Sequence, residues 1–282
     1  MKIKSSTMDK VFVTCNTIFL VLFVTITLYP VLNTVALSFN DGVDAVRGGI
    51  HLWPRIFTLS NYKTVLHQQN ILTGAVVSVA RTVLGTIFSL VTNALLAYII
   101  SRKRFLFRSQ LSLFWVITMY VNGGMIPTLI LYRNMNLTNS YAGLIMVYAG
   151  SSGLGYLICK GFFDTVPVAL REAAKLDGAS EARIFFQIVI PMSRPILVYT
   201  IINSFLTPWT DFVMAKMILN SGVSSDWTVA IGLYNMLQKA LINSYFSRFC
   251  AGGVLVAVPI SILFVIMQKF YVEGITSGAA KG

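Results

Sequence analysis

Residues able to do chemistry are few in this chain and poorly placed for catalysis. Its two histidines, His51 and His67, share one polar stretch, so no histidine-based acid–base set is available elsewhere. Cys15, Cys159 and Cys250 lie far apart, each in an apolar run; neither a disulfide framework nor a metal-ligand spacing follows, and they read as small hydrophobes. A Gly-x4-Gly-Lys-Ser/Thr loop that would cradle a phosphate is absent, since Gly278-Ala-Ala-Lys281-Gly282 is too short and lacks the final hydroxyl residue. The sequon Asn136-Leu-Thr138 is only three residues long and carries no weight. Two charged residues, Arg81 and Asp211, stand within or beside apolar stretches, where a charge is expensive and usually functional. Finally, a polar, alanine-rich run from Glu172 to Pro191 is set between long apolar segments.

The elements that must position these residues follow from composition. Of 282 residues, 56% are hydrophobic and 11% charged, against about 25% charged in a soluble domain. That balance places the chain in the membrane class. A net charge of +12 would also suit a nucleic-acid partner, but the placement of the cations favours a membrane. A helical span needs about 20 apolar residues. Six segments meet this need: Val11–Leu37, Ile71–Ile100, Leu111–Leu131, Tyr141–Ile158, Ile196–Val213 and Cys250–Met267. The third is interrupted by Asn122-Gly123-Gly124 and Pro127. The length of the first, the lack of a small-x-small cleavage site and Pro30 near its end argue against a cleaved signal peptide.

Orientation follows from the cations. Fourteen flank one side: Lys2, Lys4, Lys10, Arg102, Lys103, Arg104, Arg108, Lys160, Arg171, Lys175, Arg183, Arg194, Lys269 and Lys281. Seven flank the other: Arg47, Arg55, Lys63, Arg133, Lys216, Lys239 and Arg248. The bias predicts cytoplasmic termini and a cytoplasmic Glu172–Pro191 run. Outside, Asn40–Asn70 is expected to form turns and a short surface helix, and Trp227–Ile242 an amphipathic helix at the surface.

Within the polar run, local chemistry predicts two short helices. Pro167 suits a first turn, with Asp164 or Thr165 as cap, and Val168–Asp177 continues it. Gly178 ends that helix in a backbone conformation with positive φ. Ser180 caps the second, Glu181 favours its N-terminus, and Ile184, Phe185, Ile188 and Val189 form an apolar stripe. Pro191 and Pro195 break the chain before the fifth span. Taken alone, this describes an amphipathic connector between two spans.

The run also resembles the EAA loop of ABC-importer permeases: Glu-Ala-Ala, three residues, Gly, nine residues, Ile, one residue, Leu, Pro. Glu172, Ala173, Ala174, Gly178, Ile188 and Pro191 sit on pattern, with Ile190 where Leu is usual. With each residue type near 7% of an average sequence, six such matches have a chance probability on the order of 10⁻⁷ per start. Ala97-Tyr98 with Ser101-Arg102, Asp177-Gly178-Ala179, and the tail Tyr271-Val-Glu273-Gly274 to Gly282 resemble the carbohydrate-uptake, maltose-type branch. Arg81-Thr82 and Gly123-Gly124-Met125-Ile126-Pro127 look most like oligosaccharide and polysaccharide-fragment permeases of the LplC/YtcP kind.

The resemblance implies an all-α type I importer fold with six spans and coupling helices. It implies a core at 71–269, preceded by a terminal segment, first span and external loop at 1–70 and followed by a glycine-rich tail at 270–282. The expected function is a permease subunit in the bacterial cytoplasmic membrane, without an enzymatic site or cofactor of its own. ATP and Mg would be bound by two partner ATPase subunits; a second permease chain, an external sugar-binding protein, the carbohydrate and membrane lipid complete the partners, with no nucleic acid. By position, Glu172, Ala173, Ala174, Asp177 and Gly178 would dock on the ATPase, and Ile188 and Pro191 would anchor the return. For the sugar route, Arg81, Asn93, Asn122, Asn203, Trp209 and Asp211 are the candidates, Trp209 offering a ring face and the amides and carboxylate hydrogen bonds. An ion-coupled carrier and an intramembrane enzyme are the competing classes. The first needs several ionisable groups within spans, the second a nucleophile–base set there.

Overall fold

The computed structural model describes residues 7–121, 123–150, 152–219, 228–240 and 245–279. Its helices are α1 Thr7–Ser38, α2 Gly42–Ala45, α3 Ser60–His67, α4 Gln69–Ser101, α5 Arg108–Tyr120, α6 Met125–Asn134, α7 Tyr141–Ala149, α8 Gly153–Thr165, α9 Val168–Leu176, α10 Glu181–Ile184, α11 Ile190–Met192, α12 Arg194–Thr210, α13 Val213–Ile218, α14 Val229–Ala240 and α15 Phe246–Ala279. A π-helical turn, Phe185–Val189, joins α10 to α11. Extended pairing among the described residues is confined to one isolated bridge, Asn40 to Phe57.

Met8–Ser38, Ile71–Ser101 and Phe246–Lys269 are long and apolar enough to cross a membrane as single helices. Three bent pairs raise the number of candidate spans to as many as six. Where the sequence suggested one interrupted span at Leu111–Leu131, α5 and α6 meet at 115°. Gly124 explains how the chain makes this corner, because its φ of +85° is open to glycine and strained for other residues. Pro127 then sits in the first turn of α6, where no intrahelical donor is missed. A gentler bend of 44° separates α7 from α8. There, Ser152 caps α8 by accepting from Gly155 N at 3.0 Å, and its own N–H donates to Asn93 Oδ1 at 3.1 Å. A side chain at Gly155 would press within 3 Å of both Ser152 and Asn93, so the corner closes only around glycine.

The chain divides into two compact units. In the first, Met1–Gln68 with Leu233–Ala257, the polar stretch after α1 is folded rather than loose. Asn61 Nδ2 donates to the carbonyls of Ser38 and Asn40 at 3.0 and 2.8 Å, and Asn40 Oδ1 accepts from Arg55 N and Ile56 N at 2.7 and 2.9 Å. Phe39 stacks on Phe57, and Arg55 pairs with Asp44 at 3.0 Å. The expected surface helix here is α3, and the expected amphipathic helix later in the chain is α14; Trp227 and Leu241–Ile242 lie outside the described residues.

The second unit, Gln69–Gly232 with Val258–Gly282, is organised around α4. Its main core gathers Ala94, Ala97, Tyr98, Tyr156, Cys159, Phe163, Ile184, Phe185, Val189 and Leu197, all buried. Phe185, from the π-helical turn, packs edge-on against Tyr98 at 4.8 Å and Phe163 at 6.5 Å between ring centres. One aromatic side chain thus joins the end of α4, α8 and the polar connector.

Candidate functional site

The connector is built as the local sequence requires, with one exception at its start. Pro167 itself is the cap residue of α9 and supplies no side-chain hydrogen bond. Asp164 and Thr165, the expected caps, are otherwise engaged. The Asp164 carboxylate pairs with Lys160 at 2.6 Å and Arg108 at 3.7 Å, and the Thr165 hydroxyl donates to Phe162 O at 2.7 Å. The end of α9 is tightly specified. Gly178 takes φ +79°, its N–H donates to Lys175 O at 3.0 Å, and Ala179 N–H donates to Ala174 O at 2.9 Å. This pair of bonds is the Schellman closure, which satisfies the last carbonyls of the helix. Ala174 and Ala179 pack on the main core, so the closure also fixes how α9 is mounted.

The remaining face of α9 is open. Glu172, Ala173, Asp177 and Gly178 are exposed, Ala174 is half-buried, and Leu176 is 89% exposed. Sequence reasoning passed over Leu176; a large apolar residue set between Lys175 and Asp177 was the available signal. Further on, Ser180 Oγ accepts from Arg183 N at 3.3 Å and caps α10 as expected. The turn then widens, with Ile190 N–H donating to Phe185 O, five residues back. Pro191 accounts for this, since in a regular helix its ring would collide with the Gln187 carbonyl. The sharp corner, 85°, falls after Met192, and Pro195 opens α12. Ile188 is half-buried against the main core and Pro191 is exposed.

Two links that the sequence did not disclose brace this connector, one within it and one to α4. Lys175 Nζ forms an ion pair with Glu181 Oε1, and the Tyr98 hydroxyl donates to Glu181 Oε2 at 2.7 Å. The hydrogen bonds from Lys175 and then Tyr98 hold the Glu181 carboxyl below the usual carboxylate range.

The six residues proposed for a sugar route are distributed differently. Arg81 is 2% exposed and grips the far end of α12: its Nη2 donates to Pro208 O and, at 3.0 Å, to Asp211 O, while Nη1 lies 3.7 Å from the Asp211 carboxylate. Asp211 in turn accepts from Met214 N at 3.1 Å and Ala215 N at 3.2 Å, capping α13. Trp209 is buried and stacked on Phe205. Asn93 is buried, donating to Ser89 O at 2.8 Å as it accepts from Ser152 N. Of the six, Asn203 stands exposed on the wall of a cleft of about 400 Å³. Ser89, Tyr148, Ser152, Tyr199 and Thr207 line the same cleft, and none of its lining residues is charged. Asn122 lies outside the described residues. Arg81 with Asp211 and Asn93 thus bridge neighbouring elements, Trp209 is buried on α12, and Asn203 faces the cleft. No group of three or more His, Cys, Asp or Glu residues arranged to hold a metal occurs among the described residues.

The described residues thus offer two features, a polar connector mounted on the core and an uncharged cleft between apolar helices. Residues 82–276 match the model of the family described as binding-protein-dependent transport system inner membrane component, and the chain belongs to that family. It is the transport permease component of an ABC importer and not the catalytic one. Among its relatives, the galactooligosaccharides transport system permease protein GanQ of Bacillus subtilis is 34% identical over 91% of both chains. The polygalacturonan/rhamnogalacturonan transport system permease protein YtcP of the same organism is 30% identical over 94% of this chain and 96% of its own. In fold, the chain resembles one from the crystal structure of a bacterial ABC transporter involved in the import of the acidic polysaccharide alginate. That match has a TM-score of 0.86 at 23% identity, covering 96% of this chain and all of the other.

Proposed function

We propose that this permease forms one half of the translocation route for an oligosaccharide or polysaccharide fragment, and that α9 transmits the work of a separate ATPase to it. The observation that carries the reading is the mounting of α9. Its Glu172–Gly178 face is open, while Ala174, Ala179 and Phe185 connect it to the core. A partner that pushes on this face moves the end of α4 and the start of α12 together. ATP and Mg belong to two partner ATPase subunits, and a second permease chain and an external sugar-binding protein complete the importer.

In this reading there are six spans, with both termini and the connector in the cytoplasm of a bacterium. Residues 71–269 form the permease core, 1–70 a leading span with its external loop, and 270–282 a cytoplasmic tail. Asn203, with Ser89, Tyr199 and Thr207, offers hydrogen bonds to sugar hydroxyls, and Arg81, Asn93, Trp209 and Asp211 keep that wall in place. Asn122 is retained as a route residue on sequence grounds alone.

The test is transport by the complete importer in sealed vesicles. Uptake should require ATP on the side of the connector and should be stimulated by sugar-loaded binding protein. Uptake driven by an ion gradient without ATP would sink the proposal. Reporter fusions should place Lys103 and Gly178 inside and Lys63 outside; a cytoplasmic signal at Lys63 would overturn the topology.

A further inference from the structure

Where α4 ends, the chain turns through Arg102-Lys103-Arg104-Phe105-Leu106-Phe107. Beside this turn lies a cavity of about 610 Å³, closed on its other side by α9 and the start of α10. Its lining carries five cations, Arg102, Lys103, Arg104, Arg171 and Lys175, against the carboxylates of Glu172 and Glu181. Lys175 and Glu181 pair with each other, which leaves Arg102, Lys103, Arg104 and Arg171 against Glu172 and the lining net positive.

Two of the cations are arranged as receptors rather than as solvated surface charges. Arg102 is pinned, its guanidinium 3.8 Å from the centre of the Tyr98 ring, with Nε donating to Tyr98 O at 3.2 Å and Nη2 to Ser101 Oγ at 3.1 Å. Burial, and then the charge of nearby Arg171, push its pKa below the ordinary guanidinium range. Arg171 is half-buried, and its Nε is buried without a hydrogen-bond partner. A buried donor left unpaired is costly, and two like charges at one cavity add to that cost. An anion seated between the two guanidinium groups would offset their mutual repulsion.

The neighbouring apolar residues indicate which anion. Leu106 is 88% and Phe107 61% exposed, immediately after the cations and at the end of a helix long enough to span a bilayer. A soluble phosphate makes no use of them. A lipid with an anionic headgroup does: its phosphate sits among the cations while its acyl chains lie along Leu106 and Phe107.

We propose that this cavity binds the phosphate of an acidic phospholipid, held by Arg102 and Arg171 with Lys103 and Arg104 at the rim. The inference rests on α4 crossing the membrane, and it adds a lipid-dependent tie between α4 and the connector. Bound lipid would steady α9 through Arg171, with no part in the sugar route.

Native mass spectrometry of the purified full-length chain tests this directly, using phosphatidylglycerol and phosphatidylcholine with matched acyl chains. One phosphatidylglycerol should be retained with roughly tenfold preference. Arg171→Gln should abolish the preference. Lys103→Gln with Arg104→Gln should likewise bring the preference down to about one, and these exposed positions leave folding intact, as size-exclusion chromatography will verify. Equal retention of the two lipids, or retention unchanged in the double variant, overturns the proposal. If excess inorganic phosphate binds with the same dependence on Arg171 while neither lipid is preferred, the ligand is a soluble anion and the lipid assignment is wrong. None of these readouts involves ATP or sugar, so they fail independently of the transport reading.

Discussion

The helix α4 carries one charged tie in each half, and the two are built on opposite principles. In its first half, Arg81 is buried and binds three groups at the junction of α12 and α13: two carbonyls and a carboxylate. Near its end, Tyr98 meets a carboxylate that is half exposed and shared with Lys175. The first tie lies in a dry interior, where an unpaired charge is costly and the geometry is therefore fixed. The second lies at a wet surface, where ion pairs are weak and easily exchanged. A transporter needs both, a rigid frame around the solute route and a connector that can be moved by a partner.

The sharpest way to break this contrast is at Arg81. Arg81→Leu leaves the Asp211 carboxylate without its cation and Pro208 O without its donor, and should cost about 3–5 kcal/mol, as breaking a buried pair does. The measurement is thermal unfolding of the purified chain, supported by the amount recovered from membranes. Arg81→Lys should fall between, since a lysine keeps the charge but cannot fork to two carbonyls. An Arg81→Leu protein as stable as the parent would show the two ties to be equivalent.

Next in size is Gly178. Nothing lies within 4 Å of where its side chain would be, so the constraint is backbone conformation and not space. Gly178→Val forces a β-branched residue into the left-handed region, at roughly 1–2 kcal/mol, and should unmake the closure of α9. Gly178→Asn tolerates the same φ and should be mild. Co-purification of the ATPase subunit should drop for Val and persist for Asn. Full attachment in the Val variant would detach α9 from coupling.

These two sites also show how far the sequence could be read. The end of α9 and the Ser180 cap were legible because each is decided within five residues, by a glycine that permits positive φ and a hydroxyl that reaches back to a helix N-terminus. The start of α9 was misread because both expected caps bond elsewhere: Asp164 to Lys160 one turn back and, at longer range, to Arg108 on another helix, and Thr165 to Phe162 O. Arg81 and Asp211 stood out singly as charges among apolar residues, yet their pairing across 130 positions has no local signature. Trp209 and Asn93 stood out by chemistry, while their burial depends on packing that no local pattern announces.

Glu172→Lys sharpens the contrast from the functional side. Glu172 is exposed, so the change should shift stability by no more than about 0.5 kcal/mol. Attachment of the ATPase should weaken on the order of tenfold if this face is where the partner presses. Normal attachment and transport would move the docking surface elsewhere.

The smallest effect is expected at Glu181, and pH exposes it. Its carboxyl is held below the usual range by Lys175 and Tyr98 in the folded chain. A depressed folded-state pKa contributes stability above the unfolded value, near 4.3, and that contribution disappears as pH falls through the folded value. The tie should thus be constant from neutral pH down to about 5 and be lost only in stronger acid. Because both partners are half exposed, its worth is about 0.2–1 kcal/mol. Glu181→Gln should lower stability by that amount at neutral pH and flatten the acid limb of the unfolding profile. A loss several times larger would mean that the Tyr98–Glu181–Lys175 link is as rigid as the Arg81 pin. The connector would then be part of the frame, and the ATPase would have to move α4 as one body.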